Sequence, residues 1–230
     1  MITEIDKKLL ATELEEPILS FFEGVFTDCF IILHPFYKEV FADHYNELQN
    51  YELTYPLIER VTWSQVIKQT GIKNKDRLAL TITYPSLNDN FRKMVGSEWN
   101  EFHPFLKENH ILEPSWAEDK IPEDVLLRFL NFLLEMGHTD IKVGHWPEYM
   151  GEEIELVKLT GENKFDLAVK LANRNFVYSL EKDCCLKLPY HDSPYSLLLT
   201  NGIAANEIAA RLNYEGFKAN QETNIYWYIQ

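Results

Sequence analysis

The sequence predicts an α+β fold: a mixed or antiparallel sheet with helices packed on it, ending in a C-terminal strand-strand-strand-helix-strand unit. Three observations carry this. Strand and helix patterns are intermixed along 230 residues without the regular alternation of a doubly wound fold. The last fifty-five residues hold three short strand patterns, NFVYSLE, CCLKLPY and YSLLLT, separated by KD and HDSP turn signals. Hydrophobic residues make up 46% and charged residues 25%, the balance of a folded globular protein rather than a disordered one.

FTDCFIILHPF is nearly continuous in apolar residues, which predicts a buried strand over 26–33. Pro35 ends it, and FYKEVFADHYNEL carries a helical stripe of Phe36, Val40, Phe41, Tyr45 and Leu48. In VTWSQVIKQTGIK, Thr62 caps a short helix that Gly71 stops. DRLALTITYP, residues 76–85, alternates like a strand, and LNDNFRKMVGSEWNEF reads as a helix weakened at Gly96.

IPEDVLLRFLNFLLEMGHT gives the clearest helix, with Pro122 in its first turn, Glu123 and Asp124 at its positive end and Gly137 as its stop. Apolar residues almost surround it, which predicts deep burial. DIKVGHW and EIELVKL follow as strands and NKFDLAVKLAN as a helix. After the three strand patterns, Asn201 caps the helix GIAANEIAARLNYEGF, with Ala205, Ile208, Ala209 and Leu212 on one face and Gly216 near its end. TNIYWYI closes the chain as an aromatic strand. The chain reads as a single globular domain over 1–230. The alternative is two halves, 1–110 and 122–230, with a linker near 111–121 where HILEPSWAEDKIP carries two prolines.

The net charge is −14 and unevenly placed. Residues 1–60 hold twelve acids against four Lys and Arg, whereas residues 61–120 hold eight of each. Such a surface repels phosphate backbones and anionic lipids, so neither nucleic acid nor membrane is an expected partner, and a basic protein is. The three cysteines, Cys29, Cys184 and Cys185, form no disulfide framework. MITEIDKKLLATELEE lacks a basic region followed by an apolar one, so no secretory signal is expected, and the longest apolar stretch, Leu126–Leu134, is interrupted by Arg128 and Asn131. The expected location is cytoplasmic.

HPFYKE at 34–39 and HPFLKE at 103–108 share five of six letters. Histidine before proline favours extended backbone, and proline suits a first helical turn, so both copies are expected to mark helix starts rather than one paired site.

No phosphate-binding loop, zinc-protease, nucleophile-elbow or EF-hand motif is present, and no cofactor or metal site is expected. Four constellations bear on chemistry. In DCCLKLPYHDSPY, Cys184 or Cys185 can serve as nucleophile with His191 as base and Asp192 or Asp183 as its orienter. A buried strand cysteine beside a polar HDSP hairpin is the preferred reading. The spacings His103/His110 and His138/His145 separate paired imidazoles by about 10 Å on a helix, too far to chelate one ion. Glu148, Glu152, Glu153 and Glu155 read as a solvated edge rather than a cation loop. Trp63, Trp99, Trp116, Trp146 and Trp227 are core candidates, and Trp63, Trp146 and Trp227 are also candidates for a binding surface.

FIILHPFYKE, YPLIERVTWSQVIKQTGIK and GFKANQETNIYWY together resemble the bacterial family catalogued as domain of unknown function 2711, found in Bacillus relatives. The resemblance implies an uncharacterised bacterial cytoplasmic protein and supplies no activity or site residue. Two functional readings follow from the residues. The first is an acidic interaction protein that recognises a protein partner. The second is a small hydrolase or transferase using His191 with Asp192 or Cys185, or His34 at the end of its strand.

Overall fold

The computed structural model describes residues 3–11, 14, 16–39, 58–83, 97–114, 120–145, 153–181, 183–190 and 193–229. In chain order these form α1 (Glu4–Leu10), α2 (Ile18–Phe21), β1 (Asp28–Leu33), β2 (Phe36–Glu39), β3 (Ile58–Val61), α3 (Trp63–Thr70) and α4 (Lys75–Thr83). Then come α5 (Ser97–Glu108), β4 (Ile111–Leu112), α6 (Glu123–Glu135), β5 (Asp140–Gly144), β6 (Ile154–Lys158) and α7 (Lys164–Leu171). The last elements are β7 (Phe176–Ser179), β8 (Cys184–Lys187), β9 (Tyr195–Thr200), α8 (Ala205–Arg211), β10 (Gly216–Lys218) and a 3-10 turn, Trp227–Ile229. The fold is α+β with antiparallel sheets, and β7-β8-β9-α8-β10 is the strand-strand-strand-helix-strand arrangement that the sequence predicts. Two compact units are formed: Met1–His34 with Ser115–Ile225, and Pro35–Pro114 with Tyr226–Gln230.

The first unit is built on one antiparallel sheet of order β10-β1-β9-β8-β7-β5-β6. Because alternate residues face opposite sides, Phe30, Ile32, Ile141, Val143, Val177, Cys184, Leu186 and Leu198 share one face. They form a single core with the buried sides of α6, α7 and α8. Helix α6 buries one broad face, through Val125, Leu126, Phe129, Leu130, Phe132 and Leu133, rather than its whole circumference: Asn131 and Glu135 are exposed and Leu127, Arg128 and Leu134 partly so, and Gly137 closes it at φ 91°. The Tyr214 hydroxyl donates to the Val125 carbonyl at 2.6 Å, tying the segment after α8 to the start of α6.

The second unit holds the sheet β3-β2-β4 with α3, α4 and α5. Helix α3 starts and stops as predicted. Thr62 and Gln65 form a capping box, and Gly71 takes the left-handed conformation at φ 73°.

Five expectations are corrected. Residues 36–39 are a strand rather than a helix start, since Phe36 and Tyr37 pair with Val61 and Arg60 on β3 and Tyr37 also pairs with Leu112 on β4. The rest of that predicted helix, from 40, lies outside the described residues. Residues 75–83 are helix α4, not a strand. Leu78, Ala79, Leu80, Thr81 and Ile82 are all buried, so a helix enclosed on every side carries no 3.6-residue rhythm. The Asn74 side chain caps it by accepting from the Arg77 N–H at 2.9 Å.

His103 and Pro104 sit inside α5, so the second HPF does not start a helix, and the first leads into β2. Pro104 is tolerated because both it and Asn100, four residues earlier, lie on the exposed side. Asn201 does not cap α8; its amide donates to the Val25 carbonyl, and Asp28 accepts the Ala205 N–H instead. The closing strand is Gly216–Lys218, while TNIYWYI ends in the 3-10 turn, which packs on α4.

Candidate functional site

Strand pairing in the first unit sets Lys142, Tyr178, Cys185, Leu199 and Cys29 opposite one another, in one row on the sheet face away from α6, α7 and α8. Onto this row α1 delivers a carboxylate. Thr3 caps α1, and Asp6 completes the capping box by accepting from the Thr3 N–H at 2.8 Å and the Thr3 hydroxyl at 2.7 Å. The same carboxylate accepts a short hydrogen bond from the Tyr178 hydroxyl, and the Lys142 Nζ lies 3.3 Å from both its oxygens. Asp6 is 1% exposed. Burial alone would raise its pKa. The hydrogen bonds from Tyr178, Thr3 and Lys142 outweigh that effect and hold it below the usual carboxylate value. Burial, then the adjacent Asp6, pushes the Tyr178 phenol far up.

On the same face Lys187 is wholly buried, with its Nζ 2.8 Å from Asn175 Oδ1. The three cysteines are free and buried. Burial pushes the Cys184 thiol up to about 12 and raises Cys29 and Cys185 well above the ordinary thiol value, so all three are held in the poorly nucleophilic thiol form. Cys184 and Cys185 face opposite sides of the sheet, and each is enclosed.

His34 follows the end of β1 and is buried, with its Nε2 2.7 Å from the Ser196 hydroxyl oxygen. His138 stands between two carboxylates: its Nδ1 is 2.7 Å from Glu181 and its Nε2 is 3.2 Å from Asp183. Asp183 also accepts a short hydrogen bond from Ser179. His145, just past β5, lies 2.9 Å from Glu155 through Nε2 and 3.0 Å from Arg174 through Nδ1. A guanidinium only donates, so Nδ1 accepts and Nε2 carries the proton given to Glu155. That hydrogen bond, assisted by Arg174, outweighs burial and lowers the Glu155 pKa. His103 pairs with Glu113 at 2.9 Å, and His110 is exposed at φ 54°. His103, His138 and His145 thus each meet carboxylates of their own, and neither heptad pair lies along one helix. Among the described residues no group of three or more His, Cys, Asp or Glu is placed to hold a metal ion.

A cleft of about 690 Å³ lies between Leu19, Ile203, Ala219 and the Asp28–Lys218 ion pair, which closes at 2.9 Å. Of the sequence candidates, His191, Asp192 and Trp146 lie outside the described residues. Trp63 is wholly buried, its ring centroid 5.8 Å from that of Phe36, and Trp227 is buried in the 3-10 turn beside Tyr228. The structure thus brings together Asp6, Lys142 and Tyr178, which the sequence did not single out. The signal within reach was the Thr3-x-x-Asp6 spacing ahead of an apolar run.

Among the described residues no helix is long and apolar enough to cross a membrane. No curated protein and no solved structure is significantly similar to the chain. The family pattern described as "Protein of unknown function (DUF2711)" matches residues 14–229, and the chain belongs to that family.

Proposed function

We propose that this chain is an acidic recognition protein of the cytoplasm whose partner is a basic protein. The observation that carries the reading is the net charge of −14, with twelve acids against four Lys and Arg in residues 1–60. Such a field steers a basic partner and disfavours nucleic acid and anionic membrane. The outer strand of the seven-stranded sheet supports it with a surface. On β6, Leu156 is 64% exposed and Glu155 is exposed on the opposite face of the strand, with Glu153 exposed just before the strand begins. An outer strand offers backbone donors and acceptors to an added strand, and side chains such as Leu156 give the contact specificity. Three free buried cysteines accord with a reducing compartment.

The test is capture on the immobilised chain at low and high salt, followed by titration of the purified captured protein. Binding that weakens with salt and with Glu153→Lys supports the reading. No captured protein at low salt, or affinity unaffected by both, contradicts it.

One observation favours a second reading, in which the chain is a hydrolase or transferase: the 2.7 Å approach of His34 Nε2 to the Ser196 hydroxyl, a base-to-nucleophile distance. A serine-directed fluorophosphonate that labels the wild type and spares Ser196→Ala supports it; equal labelling of both, or none, removes it.

A further inference from the structure

Asp6 occupies a pair of donors that belongs to the sheet. Lys142 and Tyr178 are paired positions on β5 and β7, so the ammonium and the phenol are fixed side by side by strand register rather than by α1. The Lys142 Nζ also lies 5.6 Å from the Tyr178 ring centre. A hydroxyl donor and an ammonium converging on one point suit a carboxylate, which accepts charge-assisted hydrogen bonds on both oxygens.

The part that brings the carboxylate is slight. α1 has seven residues and stops at Ala11, where the backbone turns extended. Its apolar anchors are Ile5, Leu9 and Leu10, and a helix this short is marginal without its docking contacts. Lys8 adds bonds to the carbonyls of Phe21 at 2.7 Å and Glu23 at 3.1 Å. The family match begins at residue 14, so Lys142 and Tyr178 lie inside it and α1 lies before it.

We propose that α1 is a displaceable strap whose Asp6 fills, from within the chain, a carboxylate-binding site formed by the Tyr178 hydroxyl and the Lys142 ammonium. When α1 lifts, the site takes a carboxylate from another molecule. The chemistry is shared by a free small carboxylate and by a carboxylate-bearing peptide segment.

Full-length Asp6→Ala separates these sources. Its thermal midpoint is measured with acetate, with chloride at matched ionic strength, and with the peptide TEIDKKLLA. Acetate or the peptide should raise the midpoint of Asp6→Ala saturably and that of the wild type much less, because the chain's own Asp6 competes for the site. The effect should vanish in Asp6→Ala/Tyr178→Phe. Rescue by acetate assigns the site to small carboxylates, and rescue by the peptide alone assigns it to carboxylate-bearing peptide segments. Acetate and chloride acting alike on every variant, with no peptide effect, overturns the proposal. Hydrogen exchange on the wild type keeps the idea testable if Asp6→Ala does not fold. Amides of α1 should exchange about tenfold or more faster than those of β7. Exchange of both in one global step overturns the strap.

Discussion

Asp6 and Tyr178 stand 172 residues apart in the chain and share a hydrogen bond in which the phenol donates to a buried carboxylate. Tyr178→Phe keeps the ring and removes the donor, leaving the carboxylate with Thr3 and Lys142 alone. A buried charged acceptor that loses a partner destabilises by about 1–3 kcal/mol. Urea denaturation of the two proteins measures the difference, and an unchanged midpoint would mean that the bond contributes nothing net.

The same carboxylate sets an acid limit. Its folded pKa lies below the ordinary value of 3.8, so its stabilisation is fully present above that value and fades as pH falls through it toward the folded pKa. Wild-type stability should therefore decline below about pH 4 more steeply than that of Asp6→Asn, which has no such proton to take up. Urea midpoints across the acid range test the sign.

Gly216 opens β10 against Ile32 of β1, and a Cβ there would run into the Ile31 carbonyl oxygen and the Phe30 ring. Because one of these is backbone, relief requires the β1–β10 pairing to shift. Gly216→Ala should destabilise by about 1–3 kcal/mol or more. By contrast, Gly24→Ala meets nothing within 4 Å and carries only the strain of a positive φ. Thermal melts of the two variants should rank in that order.

Pro104 lies in the interior of α5, on its exposed side. Pro104→Ala restores an amide donor and removes a clash, so α5 should gain up to about 3 kcal/mol, lessened by whatever local bend the helix keeps. If Pro104 instead marked a helix start, as its sequence context suggests, the change would be neutral or destabilising. Chemical denaturation decides between them.

These cases show where the sequence was legible. Strands β1, β5, β6, β7, β8 and β9 declare themselves through local apolar runs and turn residues, and α3 through Thr62, Gln65 and Gly71, all within ten positions. Helix α4 is masked because LALTI is buried on every side and its run mimics strand alternation. The cap of α8 was misplaced at Asn201 because the true acceptor, Asp28, is 177 residues distant. The Asp6–Tyr178–Lys142 cluster was hidden for the same reason. Its members are ordinary residues until strand register and one helix cap bring them together.

The central claim, recognition of a basic partner by an acidic chain, is tested most directly by the affinity of the captured partner measured across a range of salt. Exposed charges are screened beyond roughly 10 Å at 0.1 M salt, so the account predicts affinity that falls steadily as salt rises. It also predicts that Glu153→Lys lowers both the affinity and its salt dependence. Affinity that is flat with salt and indifferent to Glu153→Lys would contradict it.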